Sequence, residues 1–147
     1  MDKRKQPQWI ASGIVESSVS RVWTALLDTC FNLPEPEKKA LELHEETGPF
    51  TFTAGSHIEG KAYFEIDKQK LEIAIQGQWW YRGTTRVESH EKGALVTYRV
   101  YNIAPGLGWW VARFIQGREN AKSMKPQLRQ TLDTIGARLK CAAYLNE

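Results

Sequence analysis

A chain of 147 residues, 41% apolar and 25% charged, has the size and the ordinary make-up of one globular domain, expected to span residues 1–147. The net charge is a modest +3, and no nucleic-acid partner is expected. No stretch approaches the roughly 18 apolar residues of an integral membrane segment, and no apolar run follows Lys3-Arg4-Lys5 as in an export signal. The two cysteines, Cys30 and Cys141, form neither a disulfide framework nor a metal spacing, so a cytoplasmic location is expected; six tryptophans are the notable excess.

Gln8 to Glu16, with Trp9, Ile10, Ile14 and Val15, reads as a first strand. Ser18 or Ser20 then caps a short helix whose apolar face is Val22, Trp23, Leu26 and Leu27, ending near Asp28 to Asn32. Leu33-Pro34-Glu35-Pro36 breaks the chain, and Glu37 to Glu46 reads as a second short helix with Ala40, Leu41 and Leu43 inward, before Gly48-Pro49 turns into a sheet.

From Ile58 the alternation sets Ile58, Gly60, Ala62, Phe64 and Ile66 on one face. Leu71, Ile73, Ile75, Gly77, Trp79 and Tyr81 continue it. A hairpin through Asp67 to Lys70 would put Ile66 opposite Leu71, Phe64 opposite Ile73 and Gly60 opposite Gly77. A tight turn near Arg82 to Thr84 would put Val87 opposite Trp79. Glu91-Lys92-Gly93 returns the chain with Val96 facing Val87 and Tyr98 facing Thr85. This antiparallel meander predicts Phe64, Ile73, Ile75, Val87 and Val96 buried and Glu59, Lys61, Glu72 and Glu88 exposed. Trp80, with His57, Arg86, Tyr63, Leu95 and Tyr101, falls on the outer face.

After the joint Ala104-Pro105-Gly106-Leu107-Gly108, the residues Trp110, Phe114, Gly117, Ala121, Met124, Leu128, Leu132, Ile135 and Leu139 recur at helical spacing and predict a buried stripe. Pro126 predicts a kink or break within it. Between Arg113 and Lys140 seven Lys or Arg face only Glu119 and Asp133, an excess of five, read as a solvated margin of the stripe in preference to attraction for an anionic membrane or nucleic acid, because the cations lack a dedicated face.

Strand, short helices, antiparallel meander and long C-terminal helix, with the passage Ile14-Val15-Glu16-Ser17-Ser18-Val19-Ser20-Arg21-Val22-Trp23-Thr24-Ala25-Leu26-Leu27-Asp28, resemble the START-like, or SRPBCC, helix-grip superfamily over nearly the whole chain. Among its branches the chain looks most like small bacterial polyketide cyclase/dehydrase-type members. The resemblance implies an α+β fold in which a curved antiparallel sheet wraps a long C-terminal helix and encloses a cavity for a small apolar molecule of lipid, polyketide or hormone kind. An enzyme acting on such a ligand and a regulatory protein-interaction module remain alternatives, and a homodimer stays open.

The expected lining is Ile75, Trp79, Tyr81, Thr85, Val87, Tyr98, Asn102, Trp110 and Phe114. Tyr81, Tyr98, Thr85 and Asn102 would orient the ligand by hydrogen bonds. No catalytic residue is singled out, because no Asp, Glu, His, Lys or Arg falls on the greasy face. His44, His57 and His90 have no metal-ligand spacing, and no phosphate-binding loop or nucleophile elbow occurs, so neither a metal nor a cofactor is expected.

Overall fold

The computed structural model describes residues 3–30, 35–44, 49–56, 60–77 and 80–146. Along them run β1 (Pro7–Val15), α1 (Val19–Ala25, prolonged by a π-helical turn Leu26–Cys30), α2 (Glu35–Leu43), β2 (Phe50–Ser56), β3 (Gly60–Asp67), β4 (Glu72–Gly77), β5 (Tyr81–His90) and β6 (Gly93–Asn102). A helical run follows, made of α3 (Gly108–Val111), a second π-helical turn (Ala112–Gln116) and α4 (Gly117–Leu139), and β7 (Ala143–Leu145) ends it.

All seven strands pair antiparallel in one curved sheet of order β2-β3-β4-β5-β6-β1-β7, so the meander ends by pairing with the first strand. The helix α4 packs chiefly on β1 and β7 and against α1 with its π turn. Gly13 of β1 makes that approach possible. A side chain there would collide with one Leu132 methyl and stand 2.9 Å from the other. Leu132 and Ile135 are fully buried on the helix side, with Val15, Val96 and Val100 below them. Ser18 caps α1, its hydroxyl accepting from the Arg21 amide at 3.4 Å, and Val22, Trp23, Ala25 and Leu26 go into the core.

The last hairpin follows the alternation residue for residue, Val87 opposite Val96 and Thr85 opposite Tyr98. Its turn works because Gly93 holds φ +136, a backbone closed to side chains. The other two registers differ. Phe64 lies opposite Ile75 and Ile66 opposite Ile73, a slip of two residues, because Leu71 takes φ 54 and joins the turn. Between β4 and β5 the chain turns before Tyr81, not at Arg82 to Thr84. Val87 thus binds the Leu71 carbonyl at 2.9 Å, and Gly77 lies beside Tyr81 instead of Gly60. Both slips are even, so the paired residues of β3, β4 and β5 keep their faces.

Ile73, Val87 and Val96 are buried as expected, while Phe64 and Ile75 are half-buried. Glu72 and Glu88 are half-covered where exposure was expected, because both share the outward face with Arg86, which lies opposite Glu72 and 3.5 Å from Glu88. Glu59 and the side chain of Lys61 lie outside the described residues. Trp80 leaves the outer face altogether. It follows Gly77 into the core and meets the rings of Trp9 and Tyr81 edge-on at 6.5 and 5.5 Å.

Two helical faces also need correcting. In α2 only Leu41 is buried, whereas Ala40 and Leu43 are exposed. In the terminal run Met124, Leu128, Leu132 and Ile135 form the buried stripe, but Trp110, Phe114 and Ala121 face solvent and Ala112 goes inward. For Trp110, Ala112 and Phe114 the cause is the π turn at Ala112–Gln116, whose extra residue shifts the helical phase by roughly 100°, whereas Ala121 lies beyond it and its exposure has no such explanation. α4 runs unbroken through Pro126, whose missing amide is tolerated on an exposed position. Among the described residues no helix is long and apolar enough to cross a membrane.

Candidate functional site

Where α4 leans on β1 and β7, the β4–β5 part of the sheet curls away from it, and a cavity of about 240 Å³ remains between them. Ile73 and Ile75 of β4, Tyr81, Gly83 and Thr85 of β5 and Tyr98 of β6 form its floor. Leu26 from the π turn after α1 closes one wall, and Gln127, Leu128 and Thr131 of α4 form the roof. Gln127 is exposed, so the cavity meets solvent along this side of the helix.

Sheet register brings the two tyrosines together. Thr85 lies opposite Tyr98 and Tyr81 stands four residues back on the same face, so the ring of Tyr81 has to reach forward across Gly83. Glycine leaves room for it: a side chain at Gly83 would collide with the Tyr81 hydroxyl and come within 2.9 Å of its ring. Trp80 supports the same ring edge-on from the other side. The two hydroxyls are hydrogen-bonded to each other. One phenol donates to the other, whose proton remains free for a third group, and the first bond polarises that second O–H.

Burial raises the pKa of both phenols. For Tyr81 the nearby Tyr98 adds to the rise, whereas for Tyr98 the bond to Tyr81 works in the opposite direction. Both stay neutral donors at physiological pH. No Asp, Glu, His, Lys or Arg lines the cavity among the described residues, so an ionised ligand would find no counter-charge there.

Of the expected lining, Ile75, Tyr81, Thr85 and Tyr98 meet in this cavity. Val87 is fully packed in the core and does not reach it. Asn102 is also buried but has another task, donating to the Trp109 carbonyl at 2.8 Å and accepting from the Ala104 amide at 3.2 Å, which fastens the loop before α3. Trp110 and Phe114 lie on the surface. Trp79 lies outside the described residues. Gly83 was overlooked, though a glycine in mid-strand two residues after a tyrosine is a sign of close side-chain approach. Leu26, Leu128, Gln127 and Thr131 needed the tertiary arrangement.

No family model matches the sequence, and the comparison with curated proteins returns no match. Solved structures do match. The solution structure of the Bacillus halodurans protein BH1534 superposes with a TM-score of 0.55 at 15% identity, covering 88% of this chain and 96% of the other. The chain has a helix-grip fold. The Thermus thermophilus protein TTHA0849 overlays this helix-grip chain with a TM-score of 0.50 at 14% identity, over 88% of this chain and 99% of its own. A truncated norcoclaurine synthase from Thalictrum flavum reaches a TM-score of 0.41 at 12% identity, over 89% and 92%. At such identities the likeness concerns the fold, and the site rests on its own residues.

Proposed function

We propose that this helix-grip protein binds a small, neutral, mostly apolar molecule bearing one hydrogen-bond-accepting oxygen. The observation that carries this reading is the Tyr81–Tyr98 hydroxyl pair in a cavity whose apolar lining is Ile73, Ile75, Leu26 and Leu128, with Thr85, Gln127 and Thr131 as its other polar groups. Apolar walls provide affinity through burial, at about 25 cal/mol per Å². The second phenol supplies direction, because its O–H needs an acceptor such as a carbonyl.

Size narrows the class. At about 240 Å³ the cavity falls just under the roughly 300–1,000 Å³ of drug-sized sites, which suits one ring with a short substituent better than a long lipid or a fused polycycle. A cyclase- or dehydrase-like reaction would call for a base beside the substrate, and no Asp, Glu, His, Lys or Arg lines the cavity among the described residues, which favours binding over catalysis.

Titration calorimetry with acetophenone, a one-ring neutral ketone, tests the proposal against benzoate, its charged analogue. Saturable binding of the ketone, at least tenfold tighter than benzoate and weakened by Tyr98→Phe, is expected. Equal binding of both, or a ketone affinity untouched by both Tyr98→Phe and Tyr81→Phe, would refute it.

A further inference from the structure

The helical run that starts at Gly108 carries a second feature, remote from the cavity lining. Leu107, Trp110, Val111 and Phe114 are 84%, 44%, 48% and 58% exposed. Their spacing of three, four and seven residues puts them on one face, where Trp110 and Phe114 stack at 6.1 Å and 14°. Such a stripe normally lies against a core, and four large apolar side chains at this density are more than scattered surface residues. The π turn Ala112–Gln116 separates its phase from that of Met124, Leu128, Leu132 and Ile135, so one helical run serves the core with one face and presents the other outward.

Cations accompany the stripe. Arg113, Arg118 and Lys122 are exposed beside or just beyond it, the Arg113 guanidinium 5.8 Å from the ring centre of Trp109. Over residues 107–129 five Lys or Arg stand against the single Glu119. A second copy meeting this face across a two-fold axis would set the cationic patch of Arg113, Arg118 and Lys122 against the same patch, which opposes self-association. An anionic bilayer satisfies both halves. Leu107, Val111 and Phe114 enter the headgroup–acyl boundary, Trp110 sits at the level where indole is favoured, and the cations meet lipid phosphates.

We propose that residues 107–122 form a docking face for anionic membrane surfaces, with the helical run lying in the plane of the interface. The cavity beneath α4 is not needed for this contact, so it stands or falls separately from ligand binding.

Co-sedimentation with vesicles of equimolar phosphatidylglycerol and phosphatidylcholine, compared with phosphatidylcholine alone, tests it on the full chain. The protein should pellet with the anionic vesicles only, and added salt should release it. Trp110→Ser combined with Phe114→Ser should weaken binding at least tenfold, and Arg118→Ser and Lys122→Ser about fivefold each. All four positions are exposed, and circular dichroism verifies the fold of each variant. Failure of the unaltered protein to pellet overturns the proposal. So does pelleting that the Trp110/Phe114 variant retains in full, or a concentration-dependent dimer which that variant converts to monomer, since a second copy would then cover the stripe.

Discussion

Gly83→Ala is the sharpest perturbation of the site, because the structure gives both its cost and its cause. The new methyl would collide with the Tyr81 hydroxyl, stand 2.9 Å from Tyr81 Cζ and 3.2 Å from Tyr98 Cε2. The backbone of β5 is held on both sides by β4 and β6, so the Tyr81 ring has to move and the hydroxyl pair opens. A lost hydrogen bond costs about 1 kcal/mol, and displacing a packed ring about 1–3 kcal/mol. Alanine regains about 0.5–1 kcal/mol over glycine in a strand, leaving a net loss of about 1–3.5 kcal/mol. In urea unfolding, with a slope of about 2 kcal/mol per M, the midpoint should fall by about 0.5–1.8 M. The decisive control is the same substitution in a Tyr81→Leu background, where no ring crosses Gly83. There Gly83→Ala should be neutral or mildly stabilising, and acetophenone binding should be weak in either form. An equal loss in both backgrounds would refute the argument that Gly83 exists to seat Tyr81.

Stability should depend on alkaline pH. Folded Tyr81 and Tyr98 keep their protons beyond the unfolded value of about 10, so their contribution is complete below that pH and declines as pH rises above it. Urea midpoints of the double Tyr81→Phe, Tyr98→Phe variant should lose this decline, and phenolate absorbance should show two of the five tyrosines titrating late. Asn102→Ala should cost about 2–3 kcal/mol by urea unfolding, because it strands the Trp109 carbonyl and the Ala104 amide in a buried loop, and acetophenone affinity at a temperature where the variant is folded should change little. Leu132→Ala, at the closest approach of α4 to Gly13, should cost about 2–5 kcal/mol in the same assay.

The face of each strand was readable because its period of two survives any even slip, which is why Ile73, Val87 and Val96 fall inside although two hairpin registers moved. Register was readable only where turn chemistry fixed it, at Glu91-Lys92-Gly93. Leu71 at positive φ and the inward turn of Trp80 have no comparable local signature, and both depend on packing across the sheet. The strand β2 escaped notice although Phe50-Thr51-Phe52-Thr53 alternates, and the three-residue β7 on β1 is too short to stand out. Half of the helical stripe was legible. The other half reversed at the π turn, whose residues Ala112 to Gln116 look like any α-helical sequence. For the site, the strand faces brought Ile75, Tyr81, Thr85 and Tyr98 forward, but the hydroxyl pair required the ring of Tyr81 to cross Gly83, a tertiary fact.

On the proposed reading, a small neutral ketone enters the cavity under α4 and meets the tyrosine pair. Methyl-labelled NMR during titration with acetophenone reads this directly. Saturable shifts at the methyls of Leu26, Ile73, Ile75 and Leu128, with those of Val15 and Ile135 unmoved, are the predicted result. Methyls of the cavity that stay still while acetophenone and other one-ring ketones are brought to their solubility limit would contradict it.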